Sequence, residues 1–409
     1  MDRKSYGGRR SSSRHSSGNR SGGRNSYRGR RGNKKKSFAK QLDYRQFIKA
    51  ATPVEPKSEE EVQITFKDLN LHPEMQKALD ARKYFKPTPI QAQAIPHIME
   101  GRNLLGLADT GTGKTLAFLL PTLHKTLEDK NTKTLIIAPT RELVNQIQVE
   151  LKAMAKQELR IFSTVLIGGS SMRYQLKRLK FNNQFIVATP GRLKDMIDKG
   201  HVKPSEFTHV ILDEVDRMLD MGFIDDMRQV LAQTPADAQR LFFSATLEKK
   251  IHDFLGEFLD DPVKVEVSSN NSSDNVHQDV VFVQSREDKI EKLREMTKKD
   301  EFEKVLVFCS TKRETDKVAE QLLVAGILSD SIHGDRDQRT RERILDKFRK
   351  GYMKVLVGTD VAARGIDIKD ITHVINYDVP NTYEDYIHRI GRTGRGGKIG
   401  SAFTFVDKR

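Results

Sequence analysis

From residue 66 onward, short apolar runs alternate with longer amphipathic stretches, and this alternation narrows the chain to very few architectures. The runs at 104–107, 134–138, 163–167, 185–188, 209–212 and 241–243 carry apolar side chains on both faces, as buried parallel strands do. Between them, residues 141–155 and 171–179 have helical spacing, so the order is strand, helix, strand, helix. The rhythm breaks at 268–275, a polar stretch without periodicity that reads as a linker. A second series follows, with strands expected at 280–283, 305–309, 328–332, 355–358, 373–375 and 402–406 and helices at 312–325 and 338–350. No simple repeat is visible, yet the architecture is duplicated. The expectation is α/β, two tandem domains at 63–267 and 277–409, each a parallel sheet flanked by helices, joined by a linker at 268–276.

The strand ending near Leu107 runs straight into Ala108, Asp109, Thr110, Gly111, Thr112, Gly113, Lys114 and Thr115, with a helix beginning near Gly113. A Gly-rich turn opening a helix gathers backbone N–H groups and a positive helix terminus at one point, which suits a triphosphate. Lys114 then pairs with the β- and γ-phosphates and the Thr115 hydroxyl helps hold Mg²⁺. Ala108 stands where the generic pattern has its first Gly. Asp213 and Glu214 close the apolar run 209–212 and so emerge at the carboxyl edge of the sheet, where ligands bind in such folds. Adjacent acids by themselves are commonly a solvated surface pair; behind a phosphate loop they take distinct jobs. Asp213 orients Mg²⁺ through its water shell, and Glu214 positions and deprotonates the attacking water. Asp216, Ser244 and Thr246 are placed to hydrogen-bond across neighbouring strands and relay the state of the phosphate site.

At 409 residues the chain exceeds what one core organises, which agrees with two domains. No apolar run approaches the roughly 18 residues needed to span a bilayer, and no apolar stretch follows the first residues, so the expectation is a cytoplasmic protein without a membrane. Cys309 is the sole cysteine, which excludes an intrachain disulfide and a cysteine-based zinc site. The net charge of +15 is concentrated at the front: residues 1–36 hold nine Arg and four Lys against Asp2, a net +12, leaving +3 for the other 373 residues. That Arg/Ser/Gly-rich tail cannot bury a core and is expected to be disordered, attracting polyanions through phosphate contacts and stacking. Residues 37–62 read as a linker with Pro53 and Pro56, within which 44–50 has the makings of a short helix.

With these residues in place, the chain resembles the DEAD-box ATP-dependent RNA helicases from about Phe66 to Val406. Pro87, Thr88, Pro89, Ile90 and Gln91 resemble the family's adenine-reading motif. The resemblance implies Gln91 as reader of the base, Phe85 as the stacking aromatic and Phe66 as the isolated upstream aromatic. An amide can donate to and accept from the adenine edge together, which favours ATP over GTP. Pro139, Thr140 and Arg141, the pair Gly168 and Gly169, and Thr189, Pro190, Gly191 and Arg192 resemble the first domain's RNA-backbone motifs. In the second domain Gln338, Arg341, Thr359 and Asp360 resemble further RNA motifs, while Gly365 and Asp367 fall where the ATP ribose is met. Arg392 and Arg395 match the arginine-finger positions, with His388 linking the domains. Val215 departs from the family's eponymous tetrad, where Ala is usual, at a site that affects packing rather than chemistry. The chain stops at Arg409, where many relatives continue with a further helix.

The resemblance implies two RecA-like domains that use ATP and Mg²⁺ and clamp single-stranded or short duplex RNA by its backbone. ATP binding closes the cleft, and strand separation is local and non-processive. Two rival readings share some of these features: a DNA helicase, and an RNA chaperone working through the basic tail. Ribosomal or other RNP partners and a monomeric state complete the expectation.

Overall fold

The computed structural model describes residues 42–51, 64–109, 111–155, 159–267, 275–363, 368, 370–394 and 398–408. The tail at 1–36 lies outside them, as do 37–41 and 52–62 of the expected linker and residues 268–274.

The first sheet has seven strands: β1 (Leu104–Leu107), β2 (Thr134–Ile137), β3 (Ser163–Leu166), β4 (Phe185–Ala188), β5 (His209–Leu212), β6 (Gln239–Ser244) and β7 (Val263–Glu266), ordered β3-β4-β2-β5-β6-β1-β7. Every pairing in it is parallel. Alternate strand residues feed two separate cores, as the pleat requires. Leu104, Ile136, Ile211, Leu241 and Phe243 pack on one face, and Leu105, Leu135, Val210, Leu212 and Phe242 on the other. β7 escaped the sequence reading because only Val263 and Val265 of its four residues are apolar, the pattern of an edge strand with one face wet.

The second sheet comprises β8 (Val276–Val283), β9 (Val305–Phe308), β10 (Ser329–Ile332), β11 (Val355–Gly358), β12 (His373–Asn376) and β13 (Gly400–Asp407), ordered β10-β11-β9-β12-β13-β8. It too is parallel throughout, with its own two cores. The sheets are duplicated down to single side chains. Thr208-His209-Val210-Ile211 enters β5, and Thr372-His373-Val374-Ile375 enters β12. The Thr208 hydroxyl bonds the backbone of Lys133, the Thr372 hydroxyl bonds that of Lys304, and each lies 2.9 Å from Nδ1 of the histidine that follows.

Two domain boundaries shift. Val276 already belongs to β8, so the linker ends one residue earlier than expected. Residues 42–51 are no linker: Tyr44–Phe47 forms a 3₁₀ turn, Phe47 is fully buried in the second domain's core, and Lys49 pairs antiparallel with Gln278 of β8. Polar neighbours hid the spacing of Leu42, Tyr44 and Phe47, whose partners lie more than two hundred residues away.

His209 and His373 are both buried, and burial pushes each imidazole from 6.5 down to about 4. Lys125 adds to this at His209, and Glu301 opposes it at His373. The unfolded chain takes up these protons below about pH 6.5, whereas the folded domains resist until near pH 4, so stability is full above 6.5 and falls between the two. Urea unfolding at pH 5 and pH 7.5 should show a loss of about 2 kcal/mol per histidine. His209→Gln should flatten the first domain's share, and an unchanged pH dependence in that variant would remove the attribution.

Candidate active site and nucleic-acid interface

The carboxyl ends of β1, β5 and β6 converge. The Ala108 N–H donates to the Ser244 carbonyl at 3.0 Å, so the phosphate loop leaves the sheet beside the strand that carries Ser244. The loop turns into helix Lys114–Glu128 through Gly113, whose φ of 98° is left-handed. A Cβ there would lie 2.5 Å from Gln91 Nε2 and 2.7 Å from Thr88 Oγ1, so only glycine fits. Lys114 is buried and donates from Nζ to the Ala108 carbonyl at 2.8 Å, and the Thr112 hydroxyl donates to the Asp109 carbonyl at 2.8 Å. This closes the loop around its own backbone.

Gln91 is held by its position in helix Pro89–Met99. Its Oε1 accepts from the Thr88 N–H at 3.0 Å as half of a capping box, and its Nε2 donates to the Gly113 carbonyl at 2.9 Å. The residue expected to read the base thereby also touches the phosphate loop. Phe85 is 60% exposed, whereas Phe66 is 2% exposed within the first core and meets the site only by donating its N–H to the Phe85 carbonyl at 3.1 Å. Phe66 therefore holds Phe85 through the backbone while its own ring is buried in the first core.

Glu214 sits at φ 55°, a left-handed conformation that costs a non-glycine residue of order 1–3 kcal/mol. Burial alone would raise its pKa. Arg217, Lys114 and Arg392 together overcome that and hold the carboxyl below its usual range. Arg217 Nη1 lies 2.5 Å from Glu214 Oε2, and both side chains are buried. Asp213 differs: burial pushes it up to about 6, with Lys114 opposing and the charge of Glu214 adding. Among the described residues its buried Oδ1 has no hydrogen-bond partner. Asp216 Oδ2 accepts from the backbone N–H groups of Ala245 and Thr246 at 2.9 and 3.2 Å, and the Ser244 hydroxyl donates to the Thr246 carbonyl at 2.7 Å.

Arg392 belongs to the second domain, is buried, and donates from Nε to the His388 carbonyl at 3.3 Å. Its charge reaches Glu214 of the first domain. Thr110, Gly365, Asp367 and Arg395 lie outside the described residues.

A cavity of about 420 Å³ gathers eight of the expected RNA residues: Pro139, Thr140, Arg141, Gly168, Thr189, Gly191, Arg192 and Arg341. Gly169 belongs to its support, since a Cβ there would sit 2.2 Å from Arg141 Nη1. The other residues expected at this site lie outside the cavity. Both oxygens of Asp360 are taken by Arg389, at 2.6 and 2.7 Å, and Arg389 is fully buried, so Asp360 fixes the second domain internally. Gln338 is buried and donates to Glu342 at 3.1 Å, and Pro190 is buried as the first residue of helix Pro190–Asp198. Thr359 keeps partial exposure at the end of β11. Arg341 Nη2 is already paired with Glu142 Oε1 across the domains at 2.7 Å, each side chain 6% exposed. Asn145 Nδ2 donates to Glu342 at 3.0 Å across the same boundary. Sequence reasoning missed Arg217 and Phe223, which lines the same cavity. Arg217 carried a signal, being three residues beyond Glu214 on one helical face; Phe223 carried none.

Two parallel sheets, a phosphate loop in the first, an acid pair beside it and an arginine delivered from the second define a tandem RecA-like nucleoside triphosphatase. Residues 88–254 match the DEAD/DEAH box helicase family model and 288–397 the helicase conserved C-terminal domain. The chain is 42% identical to the DEAD-box ATP-dependent RNA helicase CshA of Bacillus subtilis, covering 85% of this chain and 70% of that protein. It is 43% identical to the ATP-dependent RNA helicase DBP2 of Candida albicans, over 78% of this chain and 58% of the relative. It thus spans less than two thirds of the latter. S. cerevisiae Dbp5 bound to RNA and ADP BeF3 superposes with a TM-score of 0.74 at 31% identity, covering 84% of this chain and 90% of that one. Mss116p bound to ssRNA and AMP-PNP gives 0.76 at 29% identity, covering 86% and 77%. The chain belongs to the DEAD-box family of ATP-dependent RNA helicases, enzymes that hydrolyse ATP and bind RNA.

Gly113→Ala should weaken ATP binding about tenfold to a hundredfold, because left-handed backbone strain of order 1–3 kcal/mol is joined by a clash with Gln91. Titration with a fluorescent ATP analogue measures it. Gly111→Ala, with φ 89° but open space around its Cβ position, should lose less.

Proposed function

We propose that this helicase is a backbone-reading clamp: RNA draws the two domains together, closure completes the hydrolytic centre, and short duplexes or RNPs are opened locally and non-processively. The observation that carries this reading is the charge of Arg392, from the second domain, acting on Glu214 in the first. The higher TM-scores against the RNA- and nucleotide-bound relatives support it. A variant of Dbp5 bound to a gle1 variant and ip6 scores 0.67, against 0.74 for Dbp5 with RNA and ADP BeF3.

Glu214, kept ionised by its cations, takes the proton of the attacking water. Lys114 exchanges its internal partner, the Ala108 carbonyl, for the β- and γ-phosphates, and Arg392 with Arg395 offsets charge developing on the transferred phosphoryl group. Gln91 and Phe85 hold the base, with Gly365 and Asp367 at the ribose. Ala108 to Thr115 cradle the phosphates by backbone N–H groups. Asp216, Ser244, Thr246 and His388 pass the state of this centre between elements.

The residues present fit Mg²⁺. Asp213 offers a buried carboxylate oxygen with no hydrogen-bond partner among the described residues, and Thr115 follows Lys114 at the helix start. Among the described residues no group of three or more His, Cys, Asp or Glu could hold a metal, which agrees with an ion bound mainly through phosphate and water oxygens. When bound, Mg²⁺ neutralises charge on the β- and γ-phosphates.

The RNA cavity is lined by small residues, helix starts and Arg141, Arg192 and Arg341, which suit phosphate and sugar rather than base edges. Thr359 and the basic tail extend that surface. No described helix is long and apolar enough to cross a membrane. A cytoplasmic monomer working on ribosomal or other RNP substrates remains the reading.

Glu214→Gln should lower RNA-stimulated kcat by about 10²- to 10⁴-fold while ATP still binds. RNA should stimulate turnover and DNA of the same sequence should not; equal stimulation would favour a DNA helicase, and unwinding sustained by Glu214→Gln over many cycles a chaperone. Deleting residues 1–36 should weaken RNA binding and flatten its salt slope by about 0.7 per lost phosphate contact.

A further inference from the structure

We propose that residues 42–51 form an intramolecular strap that positions the arginine-bearing turn of the second domain for hydrolysis, with Phe47 as its anchoring positioning residue. The proposal rests on the reading of Arg392 given above. The strap lies outside both family matches, at 88–254 and 288–397.

Its grip is specific. Asp43 caps the turn Tyr44–Phe47 by accepting from the Arg45 N–H at 3.0 Å. Lys49 and Gln278 exchange both backbone hydrogen bonds, at 2.9 and 2.8 Å, on the open edge of the second sheet. The Phe47 ring is 0% exposed and lies 4.6 Å from the Tyr386 ring, centroid to centroid, in a core shared with Val276 and Ile390. Tyr44 meets Phe282 edge-on at 5.4 Å. The Tyr386 hydroxyl donates to Gln278 Oε1 at 3.0 Å, so the helix touches the strap through Phe47 and the strap-paired residue through this bond. That helix, Tyr383–Ile390, begins at the Thr382 cap and ends at Gly391, one residue before Arg392. Phe47 packs under the element whose end aims the guanidinium. A displacement near 1 Å is enough to cost a reaction about 10²-fold.

Two substitutions probe the strap in the full chain. Lys49→Pro removes one edge hydrogen bond and leaves every core side chain in place; Ile48, at φ −116° and ψ 109°, already has the backbone that precedes proline comfortably. Phe47→Ala empties the pocket, and Phe47→Leu refills most of it. RNA-stimulated ATPase should show kcat lowered on the order of tenfold to a hundredfold for Lys49→Pro and Phe47→Ala, with KM for ATP and RNA affinity unchanged, and Phe47→Leu should recover most of the rate. Arg392→Ala should lose rate by itself, and adding Lys49→Pro to it should lose little more, because the strap acts through that arginine. Thermal melting of each variant identifies any that fails to fold, in which case Lys49→Pro decides. Wild-type kcat in a folded Lys49→Pro, or losses that add in full with Arg392→Ala, overturns the strap. An Arg392→Ala enzyme with undiminished kcat overturns the arginine reading itself and the strap's role with it.

Discussion

A buried carboxylate that stays ionised is the condition on which the rest of this molecule turns. Glu214 is taken out of water, which favours its protonated form, and three cations from three elements reverse the outcome. Arg217 comes from the same helix, Lys114 from the phosphate loop, and Arg392 from the other domain. The first two are permanent neighbours. The third depends on how the domains meet, so the chemistry of the general base is tied to a conformational variable without any separate signalling element. Asp213, one residue earlier, is raised by the same burial and lacks an equivalent set of partners. Two adjacent acids are thus driven apart by their surroundings, Glu214 held ionised by its cations and Asp213 raised by burial.

The contacts that join the domains suit a reversible arrangement. Among the described residues, each buried apolar cluster belongs to one domain: two to the first and two to the second, the strap included. Polar pairs do cross among the described residues, Glu142 with Arg341 and Asn145 with Glu342, as does the field of Arg392. A buried ion pair gives back in Coulomb attraction about what it loses in desolvation, so Glu142 and Arg341 define a geometry more than they hold it shut. Burial raises the pKa of Glu142 in spite of Arg341, which fits a pair near balance. Closure without a shared apolar core leaves the decision to ligands that bind the closed form better.

Much of this was legible in the residues. The strands announced themselves because parallel strands buried on both faces are apolar almost throughout, and the phosphate loop, acid pair and arginines sit at fixed spacings that local chemistry demands. Pairings set by distant parts of the chain were illegible. Asp360 looks like a solvent-facing acid after β11, yet Arg389, twenty-nine residues on, claims both its oxygens. Gln338 and Arg341 read as RNA contacts; Gln338 donates to Glu342 one turn further along its own helix, and only the tertiary structure brings Glu142 to Arg341. Val263 to Glu266 was missed for the opposite reason, since an edge strand needs only half its side chains to be apolar.

The strap changes what the order of segments means. Residues 42–51 dock on the second domain, and the chain then crosses to the first at Ile64 before returning through the linker at 268–275. The domains are therefore joined by two covalent crossings. The first delivers the chain to the backbone of Phe66, which bonds Phe85, close in sequence to Gln91, whose amide donates to the phosphate loop at Gly113. At one end of this crossing lies the helix that leads to Arg392; at the other lies the edge of the base and phosphate site.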